Sequence, residues 1–165
     1  MWRIAVKIVY LDQLGCHASV LAASWYAGFY DETMHSRDIL KLPHFAAHTD
    51  FRVGKLYYVG KDTRGTELFT LGVGSEGKII SIAALDLFKL LEAKEQVLVI
   101  DVSPCNHFFI RLCWYLQMIK PLKYMMSLCS AYFLKRELPK IKKLVKIKLD
   151  EIAQAKFSLY NRYIV

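Results

Sequence analysis

The stretch RIAVKIVYLDQLGCHASVLAASWYAG, Arg3–Gly28, decides the fold class. Its first nine residues are rich in Ile and Val, which suit a pleated, packed surface, so Arg3 to Leu11 predicts a strand. DQLGC then turns the chain. The Ala-rich run from His17 predicts a helix, and Gly28 falls at its C′ position, where glycine takes a left-handed conformation at little cost. The result is a strand–turn–helix unit.

Working outward, the pattern continues. Ser36 predicts the N-cap of a short helix, RDILKL, stopped by Pro43. KLYYVGKD and TELFTLGV flank DTRG and predict a β-hairpin. Apolar residues at 79, 82, 83, 87, 90 and 91 predict a helix from Lys78 to Glu92. QVLVIDV, Gln96 to Val102, is a continuous apolar run of the kind buried on both faces of a parallel sheet. Asn106 to Ile119 predicts an apolar helix ended by Pro121, and LKYMMSLCSA a short last strand. Leu134, Leu138, Ile141, Val145, Leu149 and Ile152 lie on one face of a long C-terminal helix, with Pro139 in its first turn. This alternation predicts one α/β domain over 1–165. It would be a three-layer sandwich with a mostly parallel sheet, Rossmann-like or P-loop-like, with a hairpin and a protruding basic amphipathic segment at 134–165.

Composition narrows the class. With 55% hydrophobic and 23% charged residues in 165, the chain has the balance of a globular protein. Its net charge is +8, but Lys135–Lys148 holds seven basic residues against one acid, so +6 of the +8 comes from that segment. Such a helix suits an acidic partner or an anionic membrane surface, while a docked helix with solvated lysines is the more common outcome. Nucleic acid is the less favoured partner, because the aromatics form no stacking motif. Four cysteines without C-x-x-C spacing fit free thiols in a reducing cytosol rather than a disulfide scaffold. Asp101 and Arg111 interrupt the apolar run after Val97 well short of the ~20 residues a bilayer needs. Asp12 breaks any signal-peptide core, so the expectation is a cytoplasmic protein without a transmembrane segment.

Three stretches carry candidate chemistry. In TLGVGSEGKII, Thr70–Ile80, Gly72, Gly77 and Lys78 match most of a P-loop. Ile79 stands where a Ser or Thr would hold magnesium. VLVID, ending at Asp101, resembles the acid-bearing strand of a Walker B element. A glycine turn at the start of a helix with Lys78 in solvent is the simpler reading, and the preceding strand reads as a hairpin arm rather than a central strand. A weak anion site there stays open. DQLGCHAS, Asp12–Ser19, lies at the end of the first strand, where open α/β sheets bind ligands. There Asp12, Gly15 and Ser19 are candidates for ligand binding, and His17 for acid, base or phosphate donor. The alternative is plain capping by Ser19 beside a surface histidine. SPCNHFFIR, Ser103–Arg111, matches C-x₅-R, but NHFFI is too bulky to curl around a phosphate, which puts Arg111 inside a helix. Cys105, at a helix N-terminus, is expected to have a lowered pKa. Cys16, His17, Cys105 and His107 could also meet as zinc ligands, although neither pair has an established zinc spacing.

LGCHAS, LKLPHF, KLYYVGKDTRGTELFTLG, GSEGKI and VIDVSPC occur in the order seen in an uncharacterised bacterial family, domain of unknown function 3189, found mainly in spore-forming Firmicutes. The chain resembles that family over Ile4 to Leu116. The family's first motif usually resembles G-G-T-H-S-S. Gly15, His17 and Ser19 match it, whereas Leu14, Cys16 and Ala18 do not. Pro104 and Cys105 also follow the family pattern. The resemblance implies the boundaries and the candidate loops, but no reaction.

Together these readings predict a phosphorylated small molecule or nucleotide bound at the C-terminal edge of the sheet, between the loop at Asp12–Ser19 and the loop at Asp101–Cys105. Asp101 would hold a metal or a ribose hydroxyl. Interaction through the basic helix, and thiol or metal chemistry at Cys105 with His17, are the alternatives.

Overall fold

The computed structural model describes residues 6–46, 54–77, 79, 80, 82, 83, 86 and 96–162. Strand β1 (Val6–Asp12) pairs in parallel with β3 (Glu67–Gly72) on one side and β4 (Gln96–Asp101) on the other. Strand β2 (Leu56–Lys61) pairs antiparallel with β3, with an irregularity between Tyr58 and Gly60. The order is β2-β3-β1-β4, a mixed α/β fold on a mostly parallel sheet. β3 is thus both a hairpin arm and an interior strand, two roles the sequence reading had set against each other. Among the described residues β4 has a neighbour on one side only, and Val97, Leu98 and Val99 are half-buried rather than enclosed on both faces.

The alternation of β1 divides the apolar packing. Ile8 and Tyr10 join a large cluster with α1 (Ala18–Tyr26) and the C-terminal helix. Val9 and Leu11 point the other way, to Val73 with Ile80 packed against them. Ile80 belongs to helical residues that begin at Gly77. Lys78 and most of the helix expected to Glu92 lie outside the described residues.

α1 ends as its sequence predicts. Gly28 has φ +79°, its N–H bonds to the Trp25 carbonyl, and the Phe29 N–H bonds to the Ser24 carbonyl. That pair of bonds is a Schellman motif. Helix α2 (Ser36–Ile39) starts one residue earlier than predicted: His35 is the N-cap, and its N–H donates to Asp38 Oδ2 at 3.0 Å.

After β4 come a 3₁₀ turn (Ser103–Cys105), helix α3 (Phe108–Leu116), a second 3₁₀ turn (Lys120–Leu122) and helix α4 (Lys123–Arg162). Two expectations are corrected here. The predicted last strand, LKYMMSLCSA, is almost entirely the start of α4. Pro139 lies well inside that 40-residue helix rather than in its first turn. Pro139 faces solvent, where water can satisfy the carbonyl that its missing N–H leaves free. The start of α4 is fixed by tertiary contact: Gln117 Nε2 donates to the buried Ser130 Oγ at 3.1 Å, tying α3 to α4.

The basic segment does not protrude along its first half. Leu134, Leu138, Ile141 and Val145 are buried in the large cluster, and Leu149 packs at its margin. Lys142 Nζ reaches Glu32 Oε1 at 2.6 Å, and Lys135 Nζ donates to the Met34 carbonyl at 2.6 Å. The helix is docked by its apolar face while most of its lysines stay solvated. Among the described residues no helix is long and apolar enough to cross a membrane.

Candidate functional site

β1 and β3 are adjacent and parallel, and their chains leave toward different apolar clusters, β1 into α1 and β3 into the helical residues from Gly77. Adjacent strands whose connections diverge leave a crevice beyond their carboxyl ends. Two bonds tie the strand ends together: Val73 N–H to the Asp12 carbonyl at 2.9 Å, and Gly74 N–H to the Gln13 carbonyl at 3.1 Å.

The turn after β1 is closed by Asp12. This carboxylate is wholly buried. Its Oδ1 accepts the N–H of Leu14 at 2.7 Å and that of Gly15, and its Oδ2 accepts the N–H of Ser19 at 2.7 Å. Ser19 is the second residue of α1, so Asp12 does the work of an N-cap side chain from outside the helix. The expectation that Ser19 caps the helix is corrected. Its Oγ is buried without a hydrogen-bond partner among the described residues. Gly15, at φ +70°, lies against β3; a Cβ there would stand 2.5 Å from Gly72 N.

His17 is fully buried, not a surface histidine. Its Nδ1 lies 3.2 Å from Cys16 Sγ, and its ring meets Phe45 edge-on at 5.5 Å between centroids. Burial, with the Asp12 carboxylate nearby, pushes the Cys16 thiol well up. Cys105 also departs from expectation. Burial first, then the Glu137 carboxylate, pushes its thiol up to about 11, against the lowering expected at a helix N-terminus. Its neighbour His107 turns to α4, with Nε2 2.9 Å from Glu137 Oε2. Arg111 lies inside α3 and is exposed, as the bulk of NHFFI implied. Among the described residues no group of three or more His, Cys, Asp or Glu is placed to hold a metal ion.

A cavity of about 380 Å³ opens at the sheet edge, lined by Gln13, Gly74, Ser75, Glu76, Gly77, Ile79, Asp101 and Ser103. Its walls are the three strand ends. Asp101 Oδ1 accepts the Ser103 N–H at 2.9 Å. A Cβ on Gly77 would stand 3.2 Å from Asp101 Oδ2 and 3.5 Å from Ser103 Oγ, so this close approach suits glycine best. Ser103 Oγ is shielded from solvent and lacks a hydrogen-bond partner among the described residues. Glu76 precedes the helical residues and its carbonyl accepts the Ile80 N–H, which leaves the amides of Gly77 and Ile79 without acceptors in their own helix.

The glycine turn and Asp101 are therefore brought together, whereas His17 and Cys105 line neither this cavity nor a second one between α4 and the α2 loop. Ser103 lies in the loop Asp101–Cys105 that the sequence placed at the ligand, whereas Gln13, Ser75 and Glu76, though inside the candidate stretches, were not singled out. Each of these three lies within a few residues of a strand end, the one signal that could have found them.

A family model described as "Protein of unknown function (DUF3189)" matches residues 7–148, and the chain belongs to that family. The match extends past the resemblant motifs into the basic helix. No curated protein and no solved structure matches the chain.

Proposed function

We propose that this chain binds a small phosphorylated ligand, with nucleotides included in that class, as its magnesium complex in the cavity between Gln13, Gly74–Gly77 and Asp101–Ser103. The carrying observation is that cavity: a glycine turn leading into helical residues, set at the carboxyl edge of a mostly parallel sheet against an aspartate and an unpartnered serine hydroxyl. First-turn amides suit phosphate oxygens. Glu76 and Asp101 make the lining acidic, so a bare phosphate is disfavoured and a cation-neutralised one is not. Asp101 would meet the cation or a ribose hydroxyl. Ile79 supplies no magnesium ligand, which leaves that task to Asp101. Asp12, Gly15 and Ser19 enter as the closed turn that braces the wall. His17 and Cys105, buried and off the cavity, have no part in this reading.

The reading takes the fold as a single Rossmann-like or P-loop-like three-layer domain acting in the cytoplasm. Four free cysteines support a reducing compartment. Thermal-shift screening with nucleotides and sugar phosphates, with and without magnesium, tests it. The expected result is stabilisation that needs magnesium and is lost in Asp101→Asn. No shift with any phosphate compound would refute it.

A further inference from the structure

Away from this cavity, α3 is apolar on both sides. Ile110 and Cys113 are buried at i, i+3 on its inner side. Phe108, Leu112 and Tyr115 repeat at i, i+4, i+7 on the side facing solvent, and Phe108 is 70% exposed. A helix with apolar residues on both faces is normally covered on both. The start of α4 continues the pattern with Met125 and Tyr132 exposed. Nine of the sixteen large apolar side chains exposed among the described residues fall within residues 108–132, so this is a patch rather than a scatter.

Aromatic contacts join the two helices into one surface. Phe108 packs on Phe109 at 5.9 Å, Phe109 stacks on Phe133 at 5.6 Å and 16°, and Phe133 meets Tyr132 at 5.9 Å. Beside the patch lies a cleft of about 590 Å³ lined by Leu40, Phe45, Ala46, Lys120, Lys123, Tyr124 and Ser127. Ala46, at φ +50°, holds a backbone conformation that non-glycine residues adopt at a cost, and such strain gathers at binding sites.

Charge selects the occupant. From Val102 to Arg136 the chain has five basic residues and no Asp or Glu. A second copy would oppose like charges across the contact. Exposed Phe, Tyr, Met and Arg make up the residue set enriched in protein interfaces. The two lysines border a concave cleft, which a partner's acidic side chain can enter and a flat bilayer does not fill.

We propose that the outward face of α3 and the start of α4 binds an acidic amphipathic segment of another protein. Its apolar anchors would cover Phe108, Leu112 and Tyr115, and its carboxylates would meet Lys120 and Lys123. The test places a photo-crosslinking amino acid at Tyr115, and separately at Tyr124, in the full chain expressed in cells, and sequences the captured segment. The expected result is one segment captured from both positions, with net negative charge and apolar residues at helical spacing. As a synthetic peptide it would bind the purified chain. The Lys120→Glu/Lys123→Glu variant would bind it at least tenfold more weakly, with an unchanged melting temperature. No crosslink, a crosslink to a second copy, or flotation with vesicles of 30% phosphatidylglycerol in phosphatidylcholine without a captured segment would overturn the proposal.

Discussion

Gly15 and Gly28 offer a matched pair of perturbations. Both have left-handed φ, +70° and +79°, so alanine at either carries the same conformational cost of about 1 kcal/mol. Their surroundings differ. A Cβ at Gly28 meets nothing within 4 Å, whereas one at Gly15 lies 2.5 Å from Gly72 N and 2.9 Å from Gly72 Cα. Those are backbone atoms of β3, and they cannot rotate away. Overpacking of this kind adds about 1–3 kcal/mol. Gly28→Ala should therefore cost about 1 kcal/mol and Gly15→Ala about 2–4 kcal/mol. Urea unfolding followed by far-UV circular dichroism measures both. With a slope of roughly 2 kcal/mol/M, the midpoints of the two variants should differ by about 0.5–1.5 M. Equal midpoints would refute the close packing of the β1 turn on β3.

Asp12→Asn keeps the size of the side chain but turns an amide N–H₂ toward backbone donors. Because three buried N–H groups converge on Asp12, the loss should be about 2–4 kcal/mol by the same unfolding assay. Glu137 gives the pH dependence. Burial raises its pKa, but bonding to Lys140 and His107 outweighs that and holds it below the usual carboxylate range. A lowered folded pKa means stability present above the ordinary value of about 4.3 and lost as pH falls through the folded one. Wild-type stability measured from pH 6 to pH 3 should thus fall more steeply than that of Glu137→Gln. The thiols give a kinetic test. With Cys105 pushed up to about 11 and Cys16 pushed up by burial, both should resist an aromatic disulfide reagent at pH 8 until urea is added.

Local signals in the sequence were enough for β1, α1 and the hairpin. Each is set by its own residues: β-branched runs, an Ala-rich run closed by Gly28, and DTRG between two alternating strands. LKYMMSLCSA was not legible, because a ten-residue apolar run satisfies strand and helix alike, and the bond from Gln117 to Ser130 that helps fix it as helix is tertiary. Pro139 misled for a related reason: packing of Leu134, Leu138 and Ile141 holds the helix through it. Sheet order was equally hidden. Nothing in QVLVIDV says that it ends as the outer strand among the described residues, since pairing is a long-range property. In the site, Asp101 and the glycine turn were visible as residue patterns. The cap from Asp12 was not, because it reaches Ser19 across a turn. Gln13 lay in a candidate stretch without a role of its own, and it comes to line the cavity only where three strand ends meet.

The central claim, a phosphate site between the glycine turn and Asp101, is tested most directly by amide chemical-shift mapping. Magnesium pyrophosphate would be titrated into isotope-labelled protein. The account predicts saturable shifts concentrated at Gln13, Gly74, Ser75, Gly77 and Ser103, lost without magnesium and in Asp101→Asn. Shifts centred instead on Cys16–Ser19 and Cys105–His107, or no saturable shift, would contradict it.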